Sequence, residues 1–141
     1  MDAHITKHFA DIIAFAQIVF ENVDHSVDMT PERAILRLTA EYGAFRIVVT
    51  ELFSENLRKY RYYALKGDWV EVGFDNSPDP QVIRLKYGRI GKEHVGEHIP
   101  HVHLQDKTEL ALTDDMTFQM FVEWLKTNII QEEHGHELEN A

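Results

Sequence analysis

The sequence of 141 residues contains no cysteine, only four prolines and seven glycines, and no long apolar run. Without cysteine the chain can form neither a disulfide nor a thiolate metal site, as is usual for proteins of a reducing cytoplasm. No apolar stretch approaches the roughly 18–20 residues needed to span a bilayer, so we expect no membrane segment. The start of the chain lacks the basic region of a secretory signal peptide. We therefore expect a cytoplasmic protein.

Basic residues are also scarce, because 14 lysines and arginines stand against 24 acidic residues, for a net charge of −10. This balance argues against a general nucleic-acid binder, since phosphate contacts need clustered cations. The cations are unevenly distributed, however. Residues 57–92 hold 8 basic and 4 acidic residues, a net charge of +4, and lie between two acidic segments. This middle segment is either a solvated surface of mixed charge or a source of cations for an anionic ligand.

Both ends of the chain show the apolar periodicity of a helix that buries one face. In residues 5–20 the apolar side chains recur at helical spacing, and residues 113–130 repeat the pattern. Thr113 or Asp114 is the predicted N-cap of the second helix, and Asp115 favours its N-terminus. The sequence therefore predicts an N-terminal and a C-terminal amphipathic helix.

The segments between these helices are typical of short strands joined by tight turns. Four strands are predicted, although the first also shows a helical stripe: residues 33–41, 44–52, 57–65 and 69–75. Gly43 and Gly67 suit the turns that join them in pairs. Consecutive strands joined by short turns are antiparallel.

The remaining segments give weaker signals. Residues 21–32 are predicted to be a polar connection, residues 82–90 a further short strand, and residues 91–98 a polar loop. Residues 101–113 are predicted to be a last strand or pair of strands. An acidic tail, 132–141, lacks apolar periodicity and is expected to be mobile.

The predicted fold is a single α+β domain over residues 1–131. It combines an antiparallel sheet of about five strands with two helices, one N-terminal and one C-terminal. Both helices are expected to pack on one face of the sheet, because an open antiparallel sheet has one face to cover.

The stretch EHVGEHIPHVHL, residues 93–104, is rich in histidine. Side chains alternate between the faces of a strand, so Val102 and Leu104 are expected to point into the core. His101 and His103 then share the opposite face, one pleat apart. Three roles are open for this pair: a metal site, acid–base catalysis, or a purely structural role.

Each chemical role needs further groups. Two histidines at this spacing can share one ion, with a carboxylate such as Asp75 completing the site. Alternatively, two imidazoles can act as general base and general acid in RNA cleavage, without a metal or other cofactor. A cation must then stabilise the charge that grows on phosphate. The middle segment supplies candidates: Arg58, Lys59, Arg61, Arg84 and Lys86.

Several motifs together resemble the TumE-type family of small bacterial and archaeal toxins, over roughly residues 34–130. The resemblance lies in a Tyr-x-Tyr strand, an Asp-Asn-x-Pro turn, a Pro-His-x-His segment and a closing helix. In this chain the motifs correspond to Tyr60, Tyr62, Asp75, Asn76, Pro78, Pro100, His101 and His103.

The resemblance implies the toxin of a two-gene toxin–antitoxin module, with a helical DNA-binding antitoxin as partner. Many such toxins are ribonucleases. This chain departs from the family pattern at two places. Asp79 and Pro80 follow the turn proline, where the family has histidines, and Gly73 stands at or next to the place of a family arginine.

The leading hypothesis is therefore a toxin that binds or cleaves RNA, and the first choice of chemistry is a metal-independent ribonuclease. The predicted catalytic residues are His101, His103, Asp75 and Asn76. The predicted substrate-binding residues are Arg61, Tyr60, Tyr62, Arg84 and Lys86.

Two alternatives stand beside this hypothesis. The first is a non-catalytic interaction domain that binds another protein or its own copy. The second is a metal-dependent hydrolase.

Overall fold

The computed structural model describes residues 3–129, which form one antiparallel sheet with helices on both of its faces. The elements in chain order are α1 Ala3–Val19, β1 Glu21–Met29, β2 Arg33–Tyr42, β3 Phe45–Ser54, β4 Leu57–Lys66, β5 Trp69–Asp75, α2 Pro80–Tyr87, a single 3₁₀ turn Lys92–His94, β6 His101–Leu104, β7 Glu109–Leu112 and α3 Phe118–Asn128. The predicted tail, 132–141, and the predicted end of the domain at residue 131 lie outside the described residues.

The sheet is a simple meander in which each strand pairs with the next. Gly43 and Gly67 have φ of 59° and 62°, the left-handed conformation that lets two strands reverse within two residues. The predicted α+β class and antiparallel sheet are confirmed. The predicted number of strands is wrong, because the described residues contain seven and not about five.

One missing strand is β1, where residues 21–32 were predicted to be a polar connection. Glu21–Met29 pairs along β2, and its side chains are exposed at every position except the half-buried Val23. An edge strand needs little apolar surface, and charged side chains there discourage pairing with other chains. Because β1 is polar, its sequence did not indicate a strand, and its stability comes from pairing with β2.

The second error concerns residues 82–90, which were predicted to be a strand, whereas residues 82–87 belong to helix α2. The Asp79 carboxylate accepts a hydrogen bond from the Gln81 amide at 2.8 Å, and Pro80 occupies the first turn. Gly88 ends the helix in the left-handed conformation, with φ of 79°. These are standard start and stop signals for a helix, and they outweigh the short apolar run between them.

The hydrophobic core lies between the sheet and the two outer helices, which pack on the same face. Phe9 and Ile12 of α1 and Phe121 and Leu125 of α3 belong to one buried cluster with the strand residues that face them. Thr117, rather than Thr113 or Asp114, caps α3, since its hydroxyl accepts from the Met120 amide at 3.2 Å. Within residues 3–129 the helices are too short or too polar to cross a membrane.

The opposite face of the sheet, called here the open face, is covered only at its β6–β7 end. There Val82 and Ile83 of α2 pack with Ile99 and with Leu110 of β7. Helix α2 thus forms a wall beside the last strands and leaves the open face of the earlier strands accessible. This arrangement creates the cleft described next.

Candidate metal centre in a cleft of the open face

Strands β4, β5 and β6 lie side by side and bring the chemically active side chains together. The register places Arg61 opposite Asp75 and Asp75 opposite His101. In the next row Tyr63 lies opposite Gly73, and Gly73 lies opposite His103. Because residues directly opposite each other share a face, both rows project from the open face.

His101 is 1% exposed, and both of its ring nitrogens contact acceptors. Nδ1 lies 2.7 Å from the Ile99 carbonyl oxygen, and Nε2 lies 3.1 Å from Oδ1 of Asp75. A carbonyl and a carboxylate can only accept, so both nitrogens carry a proton and the ring is a cation. Burial alone would lower the pKa of His101, but the hydrogen bonds to Asp75 and Ile99 outweigh it and raise that pKa.

Asp75 is buried, and its carboxylate accepts hydrogen bonds from three groups. Besides His101, the Tyr63 hydroxyl donates to Oδ2 at 2.8 Å and the Ser77 amide donates to Oδ1 at 2.9 Å. Burial would raise the pKa of Asp75, but the hydrogen bonds from His101 and Tyr63 prevail and lower it to about 2. Burial and the carboxylate beside it raise the pKa of Tyr63 to about 12, so its hydroxyl stays protonated and keeps donating. The carboxylate is therefore ionised and held in one orientation.

His103 differs from His101, because no hydrogen bond engages its ring within residues 3–129. Its Nε2 lies 3.9 Å from Oδ2 of Asp75, and its ring stands edge-on to His101 with 4.9 Å between centroids. Burial lowers the pKa of His103, and the neighbouring His101 cation lowers it further. His103 is thus a neutral imidazole at neutral pH, with a lone pair available to a proton or to a metal ion.

Gly73 makes room for Tyr63 in this site. A Cβ atom at Gly73 would lie 2.5 Å from Cε2 of the Tyr63 ring, closer than real contacts allow. A side chain of any size at position 73 would therefore displace the ring whose hydroxyl holds Asp75. Gly73 and Tyr63 therefore fit together.

These residues line a cleft of about 550 Å³ between the sheet and the start of α2. Its floor is formed by Tyr63, Asp75, His101 and His103, and its rim carries the cations Arg61 and Lys107. The wall is formed by residues 77–81. Asp79 contributes to this wall while its carboxylate caps α2.

The three side chains Asp75, His101 and His103 can bind one metal ion. Each offers a ligand atom, and the three atoms lie within 4.8 Å of one another. Two ligands at about 2.1 Å from a tetrahedral ion are roughly 3.4 Å apart, so small side-chain shifts bring these atoms to that spacing. Two imidazoles and a carboxylate without thiolate suit zinc, manganese or iron(II) better than calcium.

No protein-family model, curated protein or solved structure that we compared matches the chain. The chemistry of the cleft itself therefore carries the functional inference.

The sequence-predicted residues divide into two groups. His101, His103, Asp75 and Arg61 meet in the cleft. Tyr60 and Tyr62 do not, because they point to the other face of β4 and are 1% and 0% exposed in the core. There their rings stack on each other with 5.1 Å between centroids. They cannot contact a substrate in the cleft.

Three further predicted residues also lie outside the cleft lining. The side chain of Asn76 accepts from the Tyr60 amide at 3.0 Å and donates to the Arg58 carbonyl at 2.8 Å, so it extends the pairing of β4 and β5. Lys86 lies 3.8 Å from Glu97, and Arg84 is exposed on α2. The role of Asn76 in this structure is to position the turn that follows Asp75.

Sequence reasoning missed Tyr63, Ser77 and Lys107. Strand alternation could have found Tyr63, because it lies two residues from Arg61 and so shares its face. Ser77 contributes through its backbone amide, which no side-chain pattern reveals. Lys107 lies in the β6–β7 turn, where residues 105–107 all have positive φ, and its ammonium group lies 5.5 Å from the Tyr63 ring.

Proposed function

We propose that the protein is an enzyme that cleaves phosphodiester bonds at a divalent metal ion held by Asp75, His101 and His103. The observation that carries this proposal is the convergence of three ligand atoms from two strands within 4.8 Å, on the floor of a cleft. Catalytic metal sites typically have three protein ligands and leave a position open for water or substrate. The cleft provides that open side.

The surroundings of the three ligands support this proposal. Metal-bound histidines usually donate their other ring N–H to a backbone carbonyl, and Nδ1 of His101 faces the Ile99 carbonyl in this way. Ligating carboxylates are usually hydrogen-bonded as well, and Tyr63 and Ser77 donate to Asp75. The proton on Nε2 of His101 occupies the place that an ion would take, so binding releases a proton.

Arg61 and Lys107 support an anionic substrate. Both line the cleft, and neither has a carboxylate within 4 Å among residues 3–129. The same set of ligands binds iron(II) in oxygenases, but two cations beside the site favour a phosphate-bearing substrate. The ion would polarise a phosphoryl oxygen and lower the pKa of a bound water. Arg61 and Lys107 would hold the phosphate against it.

A second candidate is RNA cleavage without a metal, as the sequence first predicted. It is favoured by the free imidazole of His103, which can accept a proton from a hydroxyl group in the cleft. His101 fits the role of general acid less well, since both of its N–H groups already bind acceptors and neither points to a substrate. In this scheme His101 would instead position Asp75 and contribute its positive charge.

The cellular role we propose is that of the toxin in a toxin–antitoxin module. Three motif residues of the resemblance, Asp75 from one segment and His101 and His103 from another, meet in one cleft, which supports a shared chemical role. Induced expression of the wild type should arrest bacterial growth. The variant His101→Ala/His103→Ala, expressed at matched soluble levels, should not. Equal growth of both strains would refute this role.

Metal binding gives the direct test of the proposed centre. The full chain, treated with EDTA and dialysed, should bind about one Zn²⁺ or Co²⁺ by isothermal titration calorimetry, and Co²⁺ should give visible d–d absorption. Asp75→Asn and His103→Ala should each weaken binding at least about tenfold. His25→Ala, an exposed histidine on β1, is the matched control and should bind like the wild type. Equal binding by all four proteins would refute the centre.

Cleavage of a single-stranded RNA separates the two candidate mechanisms. A metal-dependent enzyme should lose activity in EDTA and regain it when the ion is restored. Activity that persists in EDTA but is lost in His103→Ala would select the metal-free mechanism. Absence of cleavage under both conditions would leave the interaction domain as the function.

A further inference from the structure

The open face carries a cluster of cations that the proposed catalytic site does not use. Five side chains, called here the cationic face, point away from α1 and α3: Arg33, Arg37, Arg46, Lys59 and Arg61. The register of β2, β3 and β4 places each of them on the same side as Tyr63 and Asp75. Arg33, Arg37, Arg46 and Arg61 are exposed, and Lys59 is half-buried.

These five cations have no carboxylate within 4 Å among the described residues. Some cations elsewhere on the molecule are paired: Lys7 lies 2.8 Å from Asp11, Arg89 lies 2.8 Å from Glu93, and Arg58 lies 3.1 Å from Asp115. The chain as a whole carries a net charge of −10. The open face also carries carboxylates, because Glu41 lies opposite Arg46, and Asp24 and Asp28 of β1 lie opposite Thr39 and Ile35. The cations that an anionic partner can recognise best are therefore those on the way to the cleft, Arg37, Lys59 and Arg61.

The cationic face is continuous with the cleft. Arg37, Thr50, Arg61, Asp75 and His101 occupy one row across five neighbouring strands. Neighbouring strands are about 4.8 Å apart, so Arg37 lies roughly 10 Å from Arg61, and Arg61 roughly 10 Å from His101. Lys59 lies about 7 Å from Arg61 along β4. The row therefore extends over about 20 Å, from Arg37 at one end to His101 of the proposed metal centre at the other.

We infer that the cationic face binds the backbone of a single-stranded RNA and directs it into the cleft. This inference rests on the proposed function, because it names the substrate class of that site. Proteins that bind single strands combine a positively charged track for phosphates with aromatic side chains and arginines that contact the bases. Arg61 lies 4.8 Å from the Tyr63 ring, and Val48 and Leu52 lie half-buried between the cations.

The dimensions of the site favour a single strand over a duplex. A cleft of about 550 Å³ is the size of a pocket for a small ligand, which suits one or two flexible nucleotides. The wall formed by residues 77–81 closes one end of the track. A rigid duplex lying on the cationic face could not place one of its phosphates beside His101 on the floor of the cleft.

Fluorescence anisotropy with a labelled 12-nucleotide RNA tests this inference, in EDTA and with 2′-O-methyl riboses so that neither candidate mechanism can cleave the strand. The wild type should bind the single strand more tightly than the same sequence as a duplex. The variant Arg37→Glu/Lys59→Glu should weaken binding at least about tenfold. It should also reduce the slope of log affinity against log salt by about 1.4, at roughly 0.7 for each lost phosphate contact.

The matched control is Lys7→Glu/Lys126→Glu, which makes the same charge change on the exposed surfaces of α1 and α3. It should bind RNA within about twofold of the wild type. Metal titration of Arg37→Glu/Lys59→Glu should match the wild type, which separates this face from the metal centre. An equal loss of binding in both double variants, tighter binding of the duplex, or binding of anionic phosphatidylserine vesicles but not RNA would each overturn the inference.

Discussion

The ring of Tyr63 lies against the backbone of Gly73, at a distance that leaves no space for even one methyl group. Tyr63 in turn donates its hydroxyl to Asp75, which bonds to His101. A glycine on β5 therefore determines how a carboxylate two residues away is held.

Gly73→Ala should damage the metal centre while the fold is retained. The new methyl group would push the Tyr63 ring away, and Asp75 would lose one of its donors. We expect metal affinity to fall about tenfold, as for other losses of a hydrogen bond to a ligand. Titration with Co²⁺ and circular dichroism measure the two effects. Gly91→Ala is the control, since its nearest atoms belong to the flexible end of the Glu93 side chain. Unchanged affinity in Gly73→Ala would show that Tyr63 does not support the site.

Tyr63→Phe isolates the hydroxyl from the ring. The ring can still fill its place beside Gly73, but Asp75 loses the hydrogen bond at 2.8 Å. The pKa of Asp75, about 2 in the wild type, should rise because that donor stabilises the ionised form. NMR titration of the metal-free protein measures this pKa directly. A pKa that stays near 2 would assign the shift to His101 and Ser77 alone.

Asp79→Ala tests whether Asp79 has only a structural role at the start of α2. The carboxylate caps α2, so its loss should cost about 1 kcal/mol of unfolding free energy, measured in urea. Metal affinity should stay within about twofold of the wild type, because Asp79 is outside the proposed ligand set. Asp79→Asn, which can still cap, should restore most of the lost stability. A tenfold loss of metal affinity in both variants would instead make Asp79 a ligand.

Glu51 tests how the stability of the fold depends on pH. It lies on the face of the sheet that α1 and α3 cover, away from the cleft. It is 0% exposed and accepts hydrogen bonds from His8 at 2.8 Å and from Tyr62 at 2.5 Å. Burial would raise the pKa of Glu51, but these donors and the charge of Arg58 outweigh it and lower that pKa. The ionised carboxylate therefore adds stability above pH 4.5, the ordinary pKa, and this contribution is lost as the pH falls through the lower folded value.

Urea unfolding between pH 3 and pH 7 measures this effect. The wild type should lose more stability than Glu51→Gln as the pH falls below 4.5. The exposed residue Glu123 provides the control, and Glu123→Gln should follow the wild type. Parallel curves for wild type and Glu51→Gln would mean that the buried carboxylate does not couple folding to pH.

Part of the candidate site was predictable because strand alternation is a local rule. In residues 101–104 it placed His101 and His103 on one face and Val102 in the core, and the structure agrees. The same rule, applied to β4, separates Tyr63 and Arg61 from Tyr60 and Tyr62. The Tyr-x-Tyr motif drew the prediction to the wrong pair, since two aromatic residues on the core face of a strand look the same in a sequence as two that bind a ligand.

Other features depended on pairing partners far along the chain. Asp75 and His101 are 26 positions apart, and only the register of β5 with β6 makes them neighbours. Strand β1 was missed for a similar reason: its stability comes from β2, while its own composition is polar.

The sequence by itself determined the α+β class, the antiparallel hairpins, the two outer helices and the shared face of the two histidines. These follow from the spacing of apolar residues and from turn chemistry, which act over a few positions. Only the tertiary structure decided that Asp75 holds His101, that Gly73 accommodates Tyr63, and that five cations from three strands gather on the open face. The physical reason is that strand register and helix packing bring together residues that are far apart in the sequence. A local sequence pattern does not show which distant segments will pair.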